Sequence, residues 1–147
     1  MIFREASVED IPGIQRVRNS VQENVLSDPS RVTNEDVARY LMHRGKGWVC
    51  ENEGSIVGFA IADLEENNIW ALFIKPEFEG FGIGRALQMK MLNWYFSTGK
   101  DHLWLGTEPG TRAERFYRNT GWTHTGKHGD KELKFEMTRE QWKKLKG

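Results

Sequence analysis

The run Lys75-Pro76-Glu77-Phe78-Glu79-Gly80-Phe81-Gly82-Ile83-Gly84-Arg85-Ala86-Leu87 sets three glycines at alternate positions between an apolar strand and the start of a helix. Glycine takes left-handed backbone without a Cβ clash, so this stretch can turn tightly and present bare N–H groups at a helix N-terminus. That arrangement is a cradle for a pyrophosphate, and it commits the middle of the chain to a strand-loop-helix unit of an α/β fold. Two familiar phosphate loops are excluded by spacing. The P-loop needs G-x-x-x-x-G-K-[ST] and the dinucleotide fingerprint needs G-x-G-x-x-G, whereas this chain reads Gly80-x-Gly82-x-Gly84. Taken by itself, the loop also admits a plainer reading as a tight turn whose glycines only allow strand and helix to pack closely.

A second segment, Thr111 to Trp122, follows one strand later. Together the two resemble the GNAT N-acetyltransferase superfamily: Glu79 to Gly84 matches its Q/R-x-x-G-x-G/A loop, and Phe116 to Trp122 matches its F-Y-x-x-x-G-F/W signature. Their order and separation match as well, and a looser resemblance runs from about Phe3 to Met137. The resemblance implies an α/β (α+β) GNAT fold. Its centre is a mixed, mostly antiparallel twisted sheet of six or seven strands flanked by helices, with a splayed parallel strand pair that binds CoA.

A chain of 147 residues suits one domain with a substantial core, and 1–147 reads as one GNAT acetyltransferase domain. Charged residues make up 29% of it and cancel to a formal net charge of zero, so no global basic field gathers nucleic acid or an anionic membrane. Neither is expected as a partner. Cys50 is the only cysteine, which excludes an internal disulfide and a cysteine zinc site and fits a reducing compartment such as the cytoplasm. On its strand with Trp48 and Val49 it reads as a small core residue. No apolar run reaches membrane-span length, and Met1 to Ala6 lacks the apolar stretch of a signal peptide.

Periodicity orders the elements. A short strand, Ile2 to Arg4, precedes a helix capped by Ser7 and Asp10 with Val8, Ile11, Ile14, Val17, Val21 and Val25 at helical spacing; Asp28 to Arg31 breaks the pattern. Thr33 with Asp36 starts a second helix, ended by Gly45. Strands are expected at Trp48 to Glu51, Ile56 to Asp63 and Ile69 to Ile74 as an antiparallel meander, then a helix from Ile83 to Phe96. Leu103 to Thr107 is a buried strand, Thr111 to Thr120 a helix stopped by Gly121, and Trp122 to Gly126 with Glu132 to Met137 a closing hairpin. Thr138 caps a last helix, Arg139 to Leu145.

By the resemblance, acetyl-CoA is the acyl donor. Its pantetheine arm pairs with the backbone of Leu72, Phe73 and Ile74, and its pyrophosphate is held by the N–H groups of Gly80, Phe81, Gly82, Ile83, Gly84 and Arg85, with charge from Arg85 and Lys75; Glu79 is the first residue of this cofactor-binding loop. Two departures from the family pattern stand out. Glu79 occupies the position of a Gln or Arg and should repel the diphosphate, and Gly110 occupies the position of an Asn that touches the pantetheine. Tyr117 sits where the family's proton donor to the leaving sulfur sits; its alternative role is the inner face of the helix beside Ala113 and Phe116. The oxyanion is expected to meet the N–H of Phe73 or Ile74.

An alkyl ammonium of pKa about 10.4 is only about one part in two thousand free amine at pH 7, so a base or relay is expected. Asn68 and Leu105 stand where two branches of the family place glutamates, which leaves Glu66, Glu108 and His124 as candidates. No metal is expected, since His43, His102 and His128 show no ligand spacing to one another. Trp48 and Trp70, taken as lying on neighbouring strands, are candidate walls for the acceptor, and the acidic turn Asp63, Glu65, Glu66 is a candidate amine attractor. The expected activity is transfer of an acetyl group to a primary amine on a small-molecule or peptide acceptor; the alternative is a non-catalytic acyl-CoA-binding or sensing module. Family habit suggests a homodimer, with the last strands near Trp122 and Phe135 as the contact.

Overall fold

The computed structural model describes residues 1–21 and 32–147. The expected Val25 and the break from Asp28 to Arg31 lie outside the described residues. One seven-stranded sheet runs in the order β1-β2-β3-β4-β5-β7-β6, from β1 (Ile2–Glu5), β2 (Gly45–Asn52), β3 (Ser55–Asp63), β4 (Asn68–Ile74), β5 (His102–Thr107), β6 (Thr123–His128) and β7 (Glu132–Thr138). Among the described residues only β4 and β5 pair in parallel; the other adjacent pairs are antiparallel. Among the described residues the α-helices are α1 (Ile11–Ser20), α2 (Asn34–Arg39), α3 (Ile83–Ser97), α4 (Arg112–Asn119) and α5 (Arg139–Lys146).

Helix starts follow local chemistry. Reciprocal capping boxes join Thr33 with Asp36 and Thr138 with Gln141, and at Ser7 the backbone N–H donates to the Asp10 carboxylate at 2.8 Å. Ser7 opens a 3-10 turn, Val8–Asp10, before α1 proper, and α2 runs into a π-helical turn, Tyr40–Arg44, so both differ in detail from uninterrupted helices.

The sheet separates two apolar layers. Leu72 and Ile74 pack with α3, α4 and α5 around Leu87, Met91, Tyr95 and Phe135. Phe73 and Trp70 pack on the opposite side with α1 and α2, around Ile14, Val17, Val37 and Phe59. Cys50 is fully buried on the α3 side, as its strand position predicts.

The parting of β4 from β5 has an identifiable cause. Ala62 pairs with Ile69 and Ile61 with Ala71, which leaves Trp70 as an extra residue on β4. A bulge of this kind bends its strand and increases the local twist. Asn68 and Trp104 are the paired positions of β4 and β5, with the Trp104 N–H donating to the Asn67 carbonyl at 3.1 Å. Beyond that point the strands separate. The closed end is pinned by Tyr95 of α3, whose hydroxyl donates to the His102 carbonyl at 2.8 Å and lies 3.2 Å from Asn67 Oδ1.

Burial pushes the Tyr95 phenol well above the ordinary tyrosine range, helped by the nearby Asp63 charge, and burial does the same to Tyr117. Unfolded tyrosines titrate near about pH 10, so above that pH the unfolded chain sheds protons that the native one retains. This contribution to stability is complete below about pH 10 and shrinks as the pH rises past it. Urea midpoints at pH 8 and pH 10.5 should therefore fall for the wild type, and by less in Tyr95→Phe measured against its own pH 8 value.

Candidate active site

The separated ends of β4 and β5 open a cleft of about 750 Å³ that passes between the two faces of the sheet. Nine of the ten residues expected at the cofactor line it: Leu72, Phe73 and Ile74 from β4, and Glu79, Gly80, Gly82, Ile83, Gly84 and Arg85 from the loop and α3. Phe81 does not; it is 68% exposed and points to solvent.

Backbone pairing decides which groups of β4 face the gap. The Lys75 N–H donates to the Val57 carbonyl at 2.9 Å, so by antiparallel alternation Phe73 exchanges hydrogen bonds with Phe59, and Leu72 and Ile74 turn theirs away from β3. The expectation that named Phe73 or Ile74 as equal oxyanion donors is corrected here. The polar groups of Phe73 are engaged with β3, whereas those of Leu72 and Ile74 face the side where β5 has moved off.

The three loop glycines serve two different purposes. Gly80 and Gly82 have φ of 86° and 82°, and a Cβ on either would meet nothing within 4 Å. Backbone conformation, not crowding, demands glycine at both. Gly84 is helical, and a Cβ there would stand 3.2 Å from the Phe116 ring, so its role is to let α4 approach the first turn of α3. Gly82 caps α3 without a side chain, and no acidic residue lies in the first turn. The first N–H groups of α3 are thus left without side-chain acceptors at the positive end of the helix dipole.

Glu79 does not stand as the isolated repulsive charge expected of it. Its Oε2 accepts from Nε of Arg112, the first residue of α4, at 2.6 Å, so the carboxylate is neutralised and a guanidinium is brought to the rim of the cradle. Arg85 donates to the Asn119 carbonyl at the end of α4, at 3.3 Å. The F-Y-x-x-x-G-W segment is likewise tied to α3: Trp122 Nε1 donates to Gln88 Oε1 at 3.0 Å in the core.

Tyr117 is 6% exposed, with its ring against Phe116, Trp122 and Phe135, yet it lines the cleft. The ring is core, and the hydroxyl makes no hydrogen bond to any other described residue. Burial raises its pKa, so the phenol stays protonated through neutral and moderately alkaline pH.

The other half of the cleft lies on the α1 side. Trp70 is there, stacked on Tyr40 at 4.0 Å and 9°, with Arg18 above both Trp70 and Phe73. Trp48 is not. β3 separates its strand from β4, and Trp48 packs on the α3 side against Trp94. The acidic turn is also spoken for, since buried Asp63 takes Arg44 with both oxygens, at 3.1 and 2.7 Å, and Glu65 lies 3.6 Å from the same guanidinium.

Of the proposed bases only Glu108 lines the cleft; the Glu66 carbonyl accepts from Trp104 Nε1, and His124 packs on Phe135. Sequence reasoning missed Glu132. This half-buried carboxylate of β7 lies against the bare backbone of Gly106, where an added methyl would stand 2.6 Å from Oε1. Trp122 and Phe135, near which the exposed residues of the last strands are the expected dimer contact, are themselves 6% and 0% exposed and belong to the core.

Comparison with known proteins gives the class. The acetyltransferase (GNAT) family profile matches residues 14–122, and the chain belongs to that family of acetyltransferases. It is 32% identical over 133 residues to an uncharacterized N-acetyltransferase of Archaeoglobus fulgidus, covering 80% of this chain and 89% of the relative. A Methanocaldococcus jannaschii N-acetyltransferase is 25% identical over 126 residues, 83% and 78% of the two chains. The fold matches that of the PaiA N-acetyltransferase of Thermoplasma acidophilum, solved with coenzyme A, at a TM-score of 0.82 and 16% identity over 93% and 98% of the chains. A GNAT acetyltransferase of Staphylococcus aureus Mu50 gives a TM-score of 0.78 at 21% identity, over 93% and 98%.

Proposed function

We propose that the chain transfers an acetyl group from acetyl-CoA to a primary amine by direct attack on the thioester. The observation that carries this reading is that the glycine cradle and Tyr117 line one cleft. The N–H groups of Gly82 to Arg85 bind the diphosphate, and Glu79 keeps Arg112 beside it. The backbone of Leu72 and Ile74, free of β3, pairs with the pantetheine amides and supplies the oxyanion donor.

The amine nitrogen forms the new C–N bond to the acetyl carbon while the carbonyl electron pair moves to oxygen. As that pair returns, the C–S bond breaks and Tyr117 gives its proton to the leaving sulfur; the proton lost by the amine restores the phenol through solvent. The phenol is in its protonated form at neutral pH, since its ordinary pKa is about 10 and burial raises it; because that makes it a weaker acid than a thiol of pKa about 8.5, the proton moves in concert with C–S cleavage, as negative charge builds on sulfur. Glu132 attracts the ammonium and takes its proton before attack.

Release of free thiol from acetyl-CoA, followed across a panel of amines with the product weighed by mass spectrometry, tests the reading; an amine-dependent thiol burst with an added acetyl mass is expected. Hydrolysis without acetylated amine, or no release at all, contradicts it. Glu132→Gln should lower kcat/KM about 100-fold near pH 7 and recover most of that loss above pH 9, where the amine is free without help. A uniform loss at all pH values would remove Glu132 from the reaction.

A further inference from the structure

Arg18 stands apart from the ion-paired arginines of this chain. Arg4, Arg39, Arg44, Arg112, Arg118 and Arg139 each reach a carboxylate within 4.0 Å. Arg18 is half-buried in the last turn of α1 and lines the cleft, and among the described residues no carboxylate answers it. Its guanidinium carbon lies 5.6 Å from the Trp70 ring centre and 5.4 Å from that of Phe73. Burial without a counter-charge pushes its pKa down, the mark of a cation held at a cost in free energy.

Its position is built from the core outward. Asp63, 1% exposed, fixes Arg44. Arg44 lies 4.9 Å over Tyr40, Tyr40 stacks on Trp70, and Trp70 with Phe73 seats Arg18. This alternating ladder of cations and rings orders a long side chain that would otherwise sample many rotamers.

The diphosphate is not the anion that this cation awaits. Trp70 and Phe73 pack with the α1 layer, whereas the cradle begins α3 on the opposite face. The anion therefore belongs to the acceptor. One fork-shaped cation matches one carboxylate, Glu132 in the same cleft matches an ammonium, and Val21 and Val32 at the cleft add apolar lining.

We infer that the acceptor is an amine that also carries a carboxylate, an amino acid with an apolar side chain or a close analogue, and that Arg18 reads that carboxylate. This rests on the acetyl-transfer reading for its direction, but the binding it predicts can be measured without turnover. The probes are N-acetylleucine and N-acetylleucinamide, titrated into protein saturated with CoA. The acid should bind about 10- to 100-fold tighter than the amide. In Arg18→Gln that preference should fall to within about twofold, and Arg18→Lys should keep part of it. Acetyl-CoA affinity should stay constant across the three proteins, which also reports that each is folded.

Equal affinity for acid and amide in the wild type, or a preference that survives Arg18→Gln, overturns the inference. N-acetylethanolamine phosphate separates the one alternative with shared chemistry, because tighter binding of the phosphate than of the acid would make the acceptor a phosphorylated amine and overturn the carboxylate. An Arg18-dependent preference for the acid, combined with no acetylation of any amine, supports the reader and sinks only the transferase reading.

Discussion

Tyr117→Phe is expected to lower kcat about 100-fold while acetyl-CoA affinity changes by less than about twofold. A positioned proton donor usually contributes about 10²- to 10⁴-fold, and the lower end applies because a thiolate is already a good leaving group. The split between kcat and binding is what matters. The ring is the buried part, against Phe116, Trp122 and Phe135, and phenylalanine keeps it, so a purely structural role predicts almost no change in turnover. The hydroxyl has no partner among the described residues, so its removal strands no protein acceptor. The raised pKa also excludes a descending limb from Tyr117 at or below about pH 10 in the wild-type rate profile. Unchanged kcat in the variant would confine Tyr117 to packing.

Gly82→Val should weaken acetyl-CoA binding at least about 100-fold, equivalent to about 2.7 kcal/mol. A β-branched residue cannot hold φ near the 82° found at this N-cap, so the loop must change shape. The first N–H groups of α3 then no longer converge on one anion, and charge-assisted hydrogen bonds of about 1.5–3 kcal/mol each are lost or lengthened. Space is not the cause, because a Cβ here meets no protein atom within 4 Å. Gly82→Asn provides the control, since asparagine tolerates left-handed backbone better and should retain more of the affinity. Equal losses in both variants would mean that the side chain obstructs the ligand and the conformation is incidental.

The glycine loop and the F-Y-x-x-x-G-W segment were legible because their information is local. Gly80 and Gly82 encode two positive φ values, and Gly121 encodes the stop after α4 with φ of 95°. The parallel pairing of β4 with β5 followed from the helix between them. The cause of their separation did not, because Trp70 becomes an extra residue only when its strand is aligned against β3. Trp48 was misplaced for the same reason: strand order, which places β3 between the two tryptophans, is not written in alternation.

A charge's partner is not legible from spacing where it lies far off in sequence. Glu79 finds Arg112, and Asp63 finds Arg44, each across a turn of the fold that spacing does not display. Arg18 and Glu132 reach the cleft from opposite ends of the chain. For Glu132 the one faint signal was Gly106, a glycine inside a strand that leaves room for a close neighbour.

The most direct test of the account is a calorimetric titration of the purified protein with acetyl-CoA, with ATP and NADH as controls, repeated on Gly82→Val. The account predicts saturable binding of acetyl-CoA in the micromolar range, little heat from either control, and loss of binding in the folded variant. No binding at millimolar acetyl-CoA, or equal affinity in the variant, would contradict the placement of the acyl donor between β4 and the start of α3.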